Sequence, residues 1–96
     1  MSFTFEWDEE KAKKNVRTHQ GVTFHEGLTI FDDVSIATLH DPGHSEDEHR
    51  YISLGYSSQG RLLTVCYTER GEHIRIISCR KATRRERTMY ERGIIG

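Results

Sequence analysis

The spacing of hydrophobic residues in the first third of the chain predicts one short strand and two helices. Residues 3–7, FTFEW, alternate between apolar and polar side chains, which is typical of a strand. Residues 9–19, EEKAKKNVRTH, predict a helix capped by Asp8, because the acidic residues come first and the basic residues later. Thr23 and Glu26 have the spacing of a capping box, which predicts a second, short helix.

From Val34 onward the pattern changes to that of β-strands. Residues 34–40 are rich in strand-forming residues and precede a polar loop with the single proline of the chain. Three further strand-like runs are joined by short turns that contain glycine, which favours hairpins; the runs are HRYISLGYS at 49–57, RLLTVCYTE at 61–69 and HIRIISCRK at 73–81. We therefore predict a four-stranded antiparallel meander that the N-terminal strand can extend to five.

A last helix is predicted to begin after Thr83, because Thr83 and Glu86 form another capping-box pair. With two helices before the meander and one after it, the fold class is α+β, and we expect the helices mainly on one sheet face. The 96 residues suit one domain, 1–96. The sequence has no apolar run of membrane-spanning length and no export signal, so we expect a soluble, cytoplasmic protein.

Charge is divided unevenly between the two halves of the chain. Residues 1–50 hold five Lys and Arg against eleven Asp and Glu, whereas residues 51–96 hold nine against four. Arginine accounts for eight of those nine, and its guanidinium group suits two-point contacts with phosphate or carboxylate. The simplest alternative is that the basic half pairs with the acidic half within the fold.

The strongest candidate for function is a surface of arginines interleaved with tyrosines. This combination suits RNA, whose phosphates attract cations and whose bases stack on aromatic rings. The candidate arginines are Arg50, Arg61, Arg75, Arg80, Arg84 and Arg85. Arg75 and Arg80 are five residues apart and should point to opposite sheet faces, unless a bulge turns one of them.

Two other groups of residues carry weaker chemical signals. His40, Asp41, His44, Asp47 and His49 are metal-ligand types, but they lack a recognised metal-binding spacing, so we predict a solvated loop and no cofactor. The chain also has no nucleotide-binding glycine loop and no serine-hydrolase motif.

Cys66 and Cys79 lie in apolar strand-like runs and are interpreted as buried thiols, which fits a reducing compartment. His19 and His25 flank the junction between the first two helices, and we interpret both as surface or capping residues.

Nearly the whole chain resembles the BrnT family of bacterial toxins from type II toxin–antitoxin modules. The order and spacing of several segments match as well as their composition; they are FEWDEEKAKKN, GVTFHEGLTIFDD, EHRYISLGYS, LLTVCYTER and RIISCRKATRRERTMYE. Two positions depart from the family pattern. An extra residue separates His19 from Gly21, and His49 stands where an acidic residue is usual, so no catalytic role is carried over to either histidine.

The resemblance implies a fold similar to the RelE-like toxins and an endoribonuclease that inhibits translation. It also implies a BrnA-like antitoxin with a DNA-binding ribbon-helix-helix part. The toxin would contact DNA only through this antitoxin. Metal-free RNA cleavage needs cations around the reacting phosphate and groups that move protons. A non-catalytic basic binding module, or a metal-binding protein built on residues 40–49, is the alternative.

For such a ribonuclease we predict that Arg50 and Arg80 stabilise the phosphate. We expect the last helix to fold back over the sheet end, so that the Tyr90 hydroxyl approaches these two guanidinium groups. Tyr90 is therefore predicted to be a catalytic residue whose hydroxyl takes part in orientation or proton transfer. The remaining arginines, Arg61, Arg75, Arg84 and Arg85, are predicted to bind RNA.

Overall fold

The computed structural model describes residues 4–41 and 49–93, and most of the predicted polar loop, with His44 and Asp47, lies outside these ranges. Every predicted helix and strand is present. In chain order the elements are β1 Thr4–Glu6, α1 Glu9–Thr18, α2 Phe24–Leu28, a 3₁₀ helix Thr29–Asp32, β2 Ala37–Asp41, β3 Arg50–Tyr56, β4 Leu62–Arg70, β5 His73–Lys81 and α3 Arg84–Arg92.

The predicted capping residues lie at the helix starts. Asp8 accepts hydrogen bonds from the backbone of α1, Thr23 caps α2, and Thr83 and Glu86 form the complete capping box of α3. No helix in the described part of the chain has the length and apolar character needed to cross a membrane.

The strands form one sheet in the order β1-β5-β4-β3-β2, so the predicted meander is confirmed. The N-terminal strand extends the sheet to five strands at the edge beside β5, and it runs parallel to β5, with Thr4 opposite His73 and Glu6 opposite Arg75. These two strands are far apart in the chain, and no hairpin dictates their relative direction.

The main core lies between one sheet face and the two N-terminal helices, and we call this side the helical face. Its fully buried side chains come from α2, the 3₁₀ helix and the central strands; among them are Phe24, Ile30, Leu63, Val65 and Ile76. Asn15, the one buried residue of α1, sits on the same side, where it reaches β5.

The last helix, α3, packs on the opposite side, which we call the open face. Met89 and Tyr90 of α3 contact Ala37 and Leu54, whose side chains point away from the main core. The expectation that the helices lie mainly on one face therefore holds for α1 and α2 and is wrong for α3. The physical reason is that Ala37 and Leu54 form a second apolar patch, which needs its own cover.

A β-bulge in β5 determines which side chains share the open face. Cys66 pairs with Ser78 and Tyr67 pairs with Ile76, so Ile77 is the extra residue between them. Arg75 consequently lies opposite Thr68, and Arg80 lies opposite Thr64, on the same side of the sheet. The bulge thus brings Arg75 and Arg80 to one face although five residues separate them.

Close contact between α2 and β5 leads to a test of packing. A Cβ atom at Gly27 would lie 2.9 Å from Cys79 Sγ and 3.2 Å from Cys79 Cβ. We predict that Gly27→Ala lowers the free energy of unfolding by about 1–3 kcal/mol through overpacking. In an unhindered helix the same change stabilises by up to about 1 kcal/mol. Urea-induced unfolding measures the difference.

The double variant Gly27→Ala with Cys79→Ala provides the control. Removing the sulfur relieves the contact, so the double variant should be more stable than the sum of the two single effects. Strictly additive effects would contradict the packing explanation.

Candidate functional site

A buried side-chain amide joins α1 to the end of β5. Asn15 is only 4% exposed, and its Nδ2 donates hydrogen bonds of 2.8 Å to the carbonyl oxygens of Cys79 and Val22. Its Oδ1 accepts a hydrogen bond of 3.2 Å from the backbone N–H of Cys79. Because β1 pairs with β5 only as far as Arg75, Asn15 occupies the strand edge that β1 leaves uncovered. The C-terminal end of α1 is thereby held beside the end of β5.

This contact creates a small cleft, the His19 cleft, at the junction of α1 and β5. It has a volume of about 190 Å³ and is lined by Thr18, His19, Gln20, Arg80 and Lys81. One histidine and two basic residues therefore line the same space. His19 was interpreted from the sequence as a capping residue, and it is indeed the C-cap of α1, but its neighbours come from a strand some sixty residues later in the chain.

Arg80 is held in a fixed orientation by Glu86. Its Nη1 and Nη2 donate to the two carboxylate oxygens at 2.7 and 2.9 Å, a two-point ion pair. The same carboxylate accepts a hydrogen bond of 2.9 Å from Thr64 Oγ1 and another of 2.9 Å from the backbone of Thr83. Burial alone would raise the pKa of Glu86, but these hydrogen bonds outweigh it and lower the pKa to about 2.

A second cleft, the Tyr56 cleft, adjoins the first and has a volume of about 370 Å³. Lys81 lines both clefts, so they are neighbours around the end of β5. The lining of the Tyr56 cleft comprises Tyr56, Gly60, Arg61, Leu62, Lys81, Ala82 and Arg87. Sequence reasoning had not selected Lys81, Arg87 or Tyr56 as site residues, because nothing local to them indicates that these positions meet.

Arg61 also anchors the fold from its position in the Tyr56 cleft. Its guanidinium forms an ion pair with Glu26, in which Nε lies 2.9 Å from Oε2. Glu26 is 4% exposed and accepts a further hydrogen bond of 2.7 Å from Ser57 Oγ. The hydrogen bond from Arg61, opposed by burial, lowers the pKa of Glu26. The charge of Arg61 is therefore largely neutralised within the protein.

Arg50 and Arg75 also lie on the open face, but in a different cross-strand row from Arg80. Both are paired in register with Thr68 of β4, while Arg80 is paired with Thr64. Four residues of β4 thus separate the two rows, which corresponds to about 13 Å along the strands. Arg75 also donates to Glu6 Oε2 at 2.8 Å. Arg50 and Arg80 therefore share a face, but their backbone positions lie in different rows, on β3 and β5.

Tyr90 is not among the residues that line the two clefts. Its hydroxyl donates a hydrogen bond of 2.6 Å to Asp33 Oδ2. The same carboxylate oxygen accepts the backbone N–H of Tyr56 at 2.8 Å. Burial and the bond to Asp33 raise the pKa of Tyr90 to about 12. The expected approach of this hydroxyl to Arg50 and Arg80 is not observed, because α3 places it over the end of β3, where Asp33 offers a charged acceptor.

The other predicted residues are dispersed. Arg84 and Arg85 are exposed in the first turn of α3. His40 Nε2 lies 3.2 Å from His49 Nδ1, yet among residues 4–41 and 49–93 no group of three or more His, Cys, Asp or Glu is arranged to hold a metal. His25 packs edge-on against Trp7, with the ring centroids 4.8 Å apart.

Both cysteines are thiols in the structure, and Cys79 is fully buried. Burial raises the pKa of the Cys79 thiol to about 12, so this group is unsuited to nucleophilic chemistry.

The Arg80–Glu86 pair predicts a specific dependence of stability on pH. Since the folded-state pKa of Glu86 is about 2 and its ordinary value is 4.5, the stabilisation is present above pH 4.5 and is lost as the pH falls towards 2. We expect Glu86→Gln, which preserves the cap, to remove about 1–2 kcal/mol at pH 7, because solvent screens part of the pair.

Unfolding at a series of pH values, compared with the exposed control Glu91→Gln, measures this effect. Parallel acid profiles for the parent protein and Glu86→Gln would show that the pair does not stabilise the fold.

Comparison with known proteins identifies the fold and the family. A crystal structure at 1.1 Å of the Brucella abortus ribonuclease toxin, BrnT, has the same fold, with a TM-score of 0.63 and 20% identity, covering 86% of this chain and 100% of that chain. No curated protein matches the sequence. A family model described as the ribonuclease toxin, BrnT, of a type II toxin–antitoxin system matches residues 7–86. The chain therefore belongs to the BrnT family of ribonuclease toxins of type II toxin–antitoxin systems.

Proposed function

We propose that this endoribonuclease toxin cleaves RNA at the His19 cleft without a metal ion. The 2′-hydroxyl of the substrate would give up its proton and attack the adjacent phosphorus. The bond from phosphorus to the 5′-oxygen of the next nucleotide would break, and that oxygen would take up a proton, which leaves a 2′,3′-cyclic phosphate and a 5′-hydroxyl. The observation that supports this proposal is the convergence of His19, Arg80 and Lys81 on one cleft. Such a reaction needs cations at the phosphate and a group that transfers protons.

In this proposal the two basic side chains stabilise the negative charge that develops on the phosphate. Arg80 is suited to this role because Glu86 holds it in place, so little reorganisation is needed during the reaction. Lys81 adds a second positive charge. His19 is proposed to transfer the proton, since an imidazole ring carries nitrogens that can accept or donate one.

The remaining arginines are proposed to bind the RNA on either side of the cleaved bond. Arg50 and Arg75 would contact a phosphate farther along the strand, because their row is separated from Arg80. Arg84 and Arg85 project from the start of α3 and would add electrostatic attraction. Arg61 would contribute less than its charge suggests, because Glu26 neutralises it.

For Tyr90 the observed contacts favour a structural role over the earlier proposal of a catalytic hydroxyl. A phenol whose pKa is raised to about 12 is a poor base at neutral pH, and its proton is engaged by Asp33. We propose that Tyr90 anchors α3 to the segment before β2.

Membership of a type II system implies an antitoxin as partner. We propose that this antitoxin is BrnA-like, with a ribbon-helix-helix part that binds DNA, and that the toxin acts in the cytoplasm. The exposed arginines at the start of α3 are suited to contact an acidic segment of such an antitoxin as well as RNA.

The proposed mechanism predicts that metal chelation leaves cleavage intact. Purified protein incubated with RNA in excess EDTA should retain its rate within about twofold, since the charge stabilisation comes from side chains. A His19→Asn preparation purified in parallel reveals any contaminating nuclease. Complete loss of cleavage in EDTA, restored by zinc or manganese, would instead favour the histidines near residues 40–49.

Substitutions in the His19 cleft should reduce the rate of cleavage strongly. We expect Arg80→Ala to lower kcat by about 10²–10³-fold through loss of an aimed cation. His19→Asn should lower it by about 10²–10⁴-fold through loss of proton transfer. Single-turnover cleavage of a defined RNA measures both.

Three further variants distinguish the loss of a catalytic group from the loss of the folded structure. Glu86→Gln breaks the same ion pair but keeps the guanidinium, so it should remain far more active than Arg80→Ala. His73→Asn repeats the imidazole-to-amide change at an exposed site and should be fully active. A folded Arg80→Ala protein that cleaves RNA at the parental rate would exclude Arg80 from the site. A folded but inactive Tyr90→Phe protein would show that the Tyr90 hydroxyl takes part in catalysis.

A further inference from the structure

The Tyr56 cleft presents an aromatic ring that the fold holds in place. The side chain of Tyr56 is 38% exposed although it is large and apolar. Tyr90 packs against it edge-on, with ring centroids 5.5 Å apart and an interplanar angle of 79°. Arg87 Nη1 donates a hydrogen bond of 3.2 Å to the Tyr56 hydroxyl. The ring is thus fixed by two contacts, and part of it remains open to solvent.

The polar rim of this cleft is positively charged. Arg61 is neutralised by Glu26, which leaves Arg87 and Lys81 to set the charge of the rim. Leu62 and Ala82 supply the apolar part of the lining. An aromatic ring, an apolar wall and two cations are the groups that recognise a nucleotide, whose flat base stacks and whose phosphate needs positive charge.

The position of Lys81 relates the two clefts to each other. Lys81 lines the Tyr56 cleft and also the His19 cleft, so one residue borders both. A phosphate bound near Lys81 would therefore leave the attached base within reach of the Tyr56 ring. With about 370 Å³, the Tyr56 cleft has more room than the His19 cleft, which has about 190 Å³.

We propose that the Tyr56 cleft is a nucleotide subsite in which the base next to the cleaved phosphate stacks on Tyr56. A purine overlaps the ring more fully than a pyrimidine, so the subsite favours a purine at that position. The position relative to the cleaved bond rests on the cleavage site proposed above, whereas binding of a nucleotide to the subsite does not depend on catalysis.

Binding of small probes tests the subsite without any cleavage. Adenosine 5′-monophosphate, ribose 5-phosphate and inorganic phosphate are titrated separately into the protein and followed by NMR. The nucleotide should bind about tenfold more tightly than ribose 5-phosphate, because base stacking on an aromatic side chain adds affinity. The amide signals of Gly60 and Ala82 should shift with the nucleotide. Equal affinity for the nucleotide and the sugar phosphate would overturn the proposal.

Two substitutions at Tyr56 make the test specific. Tyr56→Leu removes the ring and should abolish the preference for the nucleotide over the sugar phosphate. Tyr56→Phe keeps the ring, loses only the hydroxyl contact with Arg87, and should preserve the preference. Thermal unfolding checks that both variants are folded. A preference that survives in Tyr56→Leu, or nucleotide-induced shifts confined to Thr18 and Gln20, would show that the base does not bind at Tyr56.

A cleavage assay then relates the subsite to specificity. RNA oligonucleotides that carry a purine, a pyrimidine or an abasic residue beside the cleaved bond are compared. The parent protein should show the lowest KM for the purine, and Tyr56→Leu should show similar KM values for all three with a smaller effect on kcat. Failure of His19→Asn to reduce cleavage would refute the proposed catalytic cleft, while the nucleotide titrations would still decide the subsite.

Discussion

The arrangement of the candidate site depends on the buried amide of Asn15. Its three hydrogen bonds connect α1, the segment at Val22 and the backbone of Cys79. Without them the buried backbone groups of Cys79 would lack partners, a cost of about 1–3 kcal/mol for each unsatisfied group. The same contacts decide where α1 ends relative to β5, and therefore where His19 lies relative to Arg80.

Ion pairs within the fold account for part of the charge asymmetry between the two halves of the chain, and the remaining positive charge lies on the surface. The ion pairs Glu26–Arg61 and Glu6–Arg75 join the acidic first half of the chain to the basic second half. The simplest interpretation of the asymmetry, internal pairing, is thus correct for these arginines. Lys81, Arg84, Arg85 and Arg87 are exposed. Lys81 and Arg87 line the clefts, and Arg84 and Arg85 add positive charge at the start of α3.

The sequence predicted the elements and the meander well, because strand alternation, glycine turns and capping boxes are local signals. It could not predict the face of α3, since the apolar contacts of Met89 and Tyr90 are few and their partners are distant in sequence. The sequence allows for a bulge in this strand, but its presence at Ile77 could not be predicted, because HIRIISCRK has the pattern of one regular strand. Of the residues that line the two clefts, the sequence predicted only Arg61 and Arg80 as site residues, because the approach of α1 to the end of β5 depends on long-range packing through Asn15.

Glu86 explains how arginines are tolerated at the start of α3, where the helix dipole repels them. Its carboxylate completes the capping box and pairs with Arg80, so one negative charge offsets both the helix N-terminus and a guanidinium. Arg84 and Arg85 can then point to solvent, where water screens their repulsion. The residual cost of up to about 1 kcal/mol for each exposed cation is small beside the charge-assisted contacts that an RNA phosphate or an acidic partner can provide. The first turn of α3 is therefore less stable than it could be, and its positive charge is available for binding.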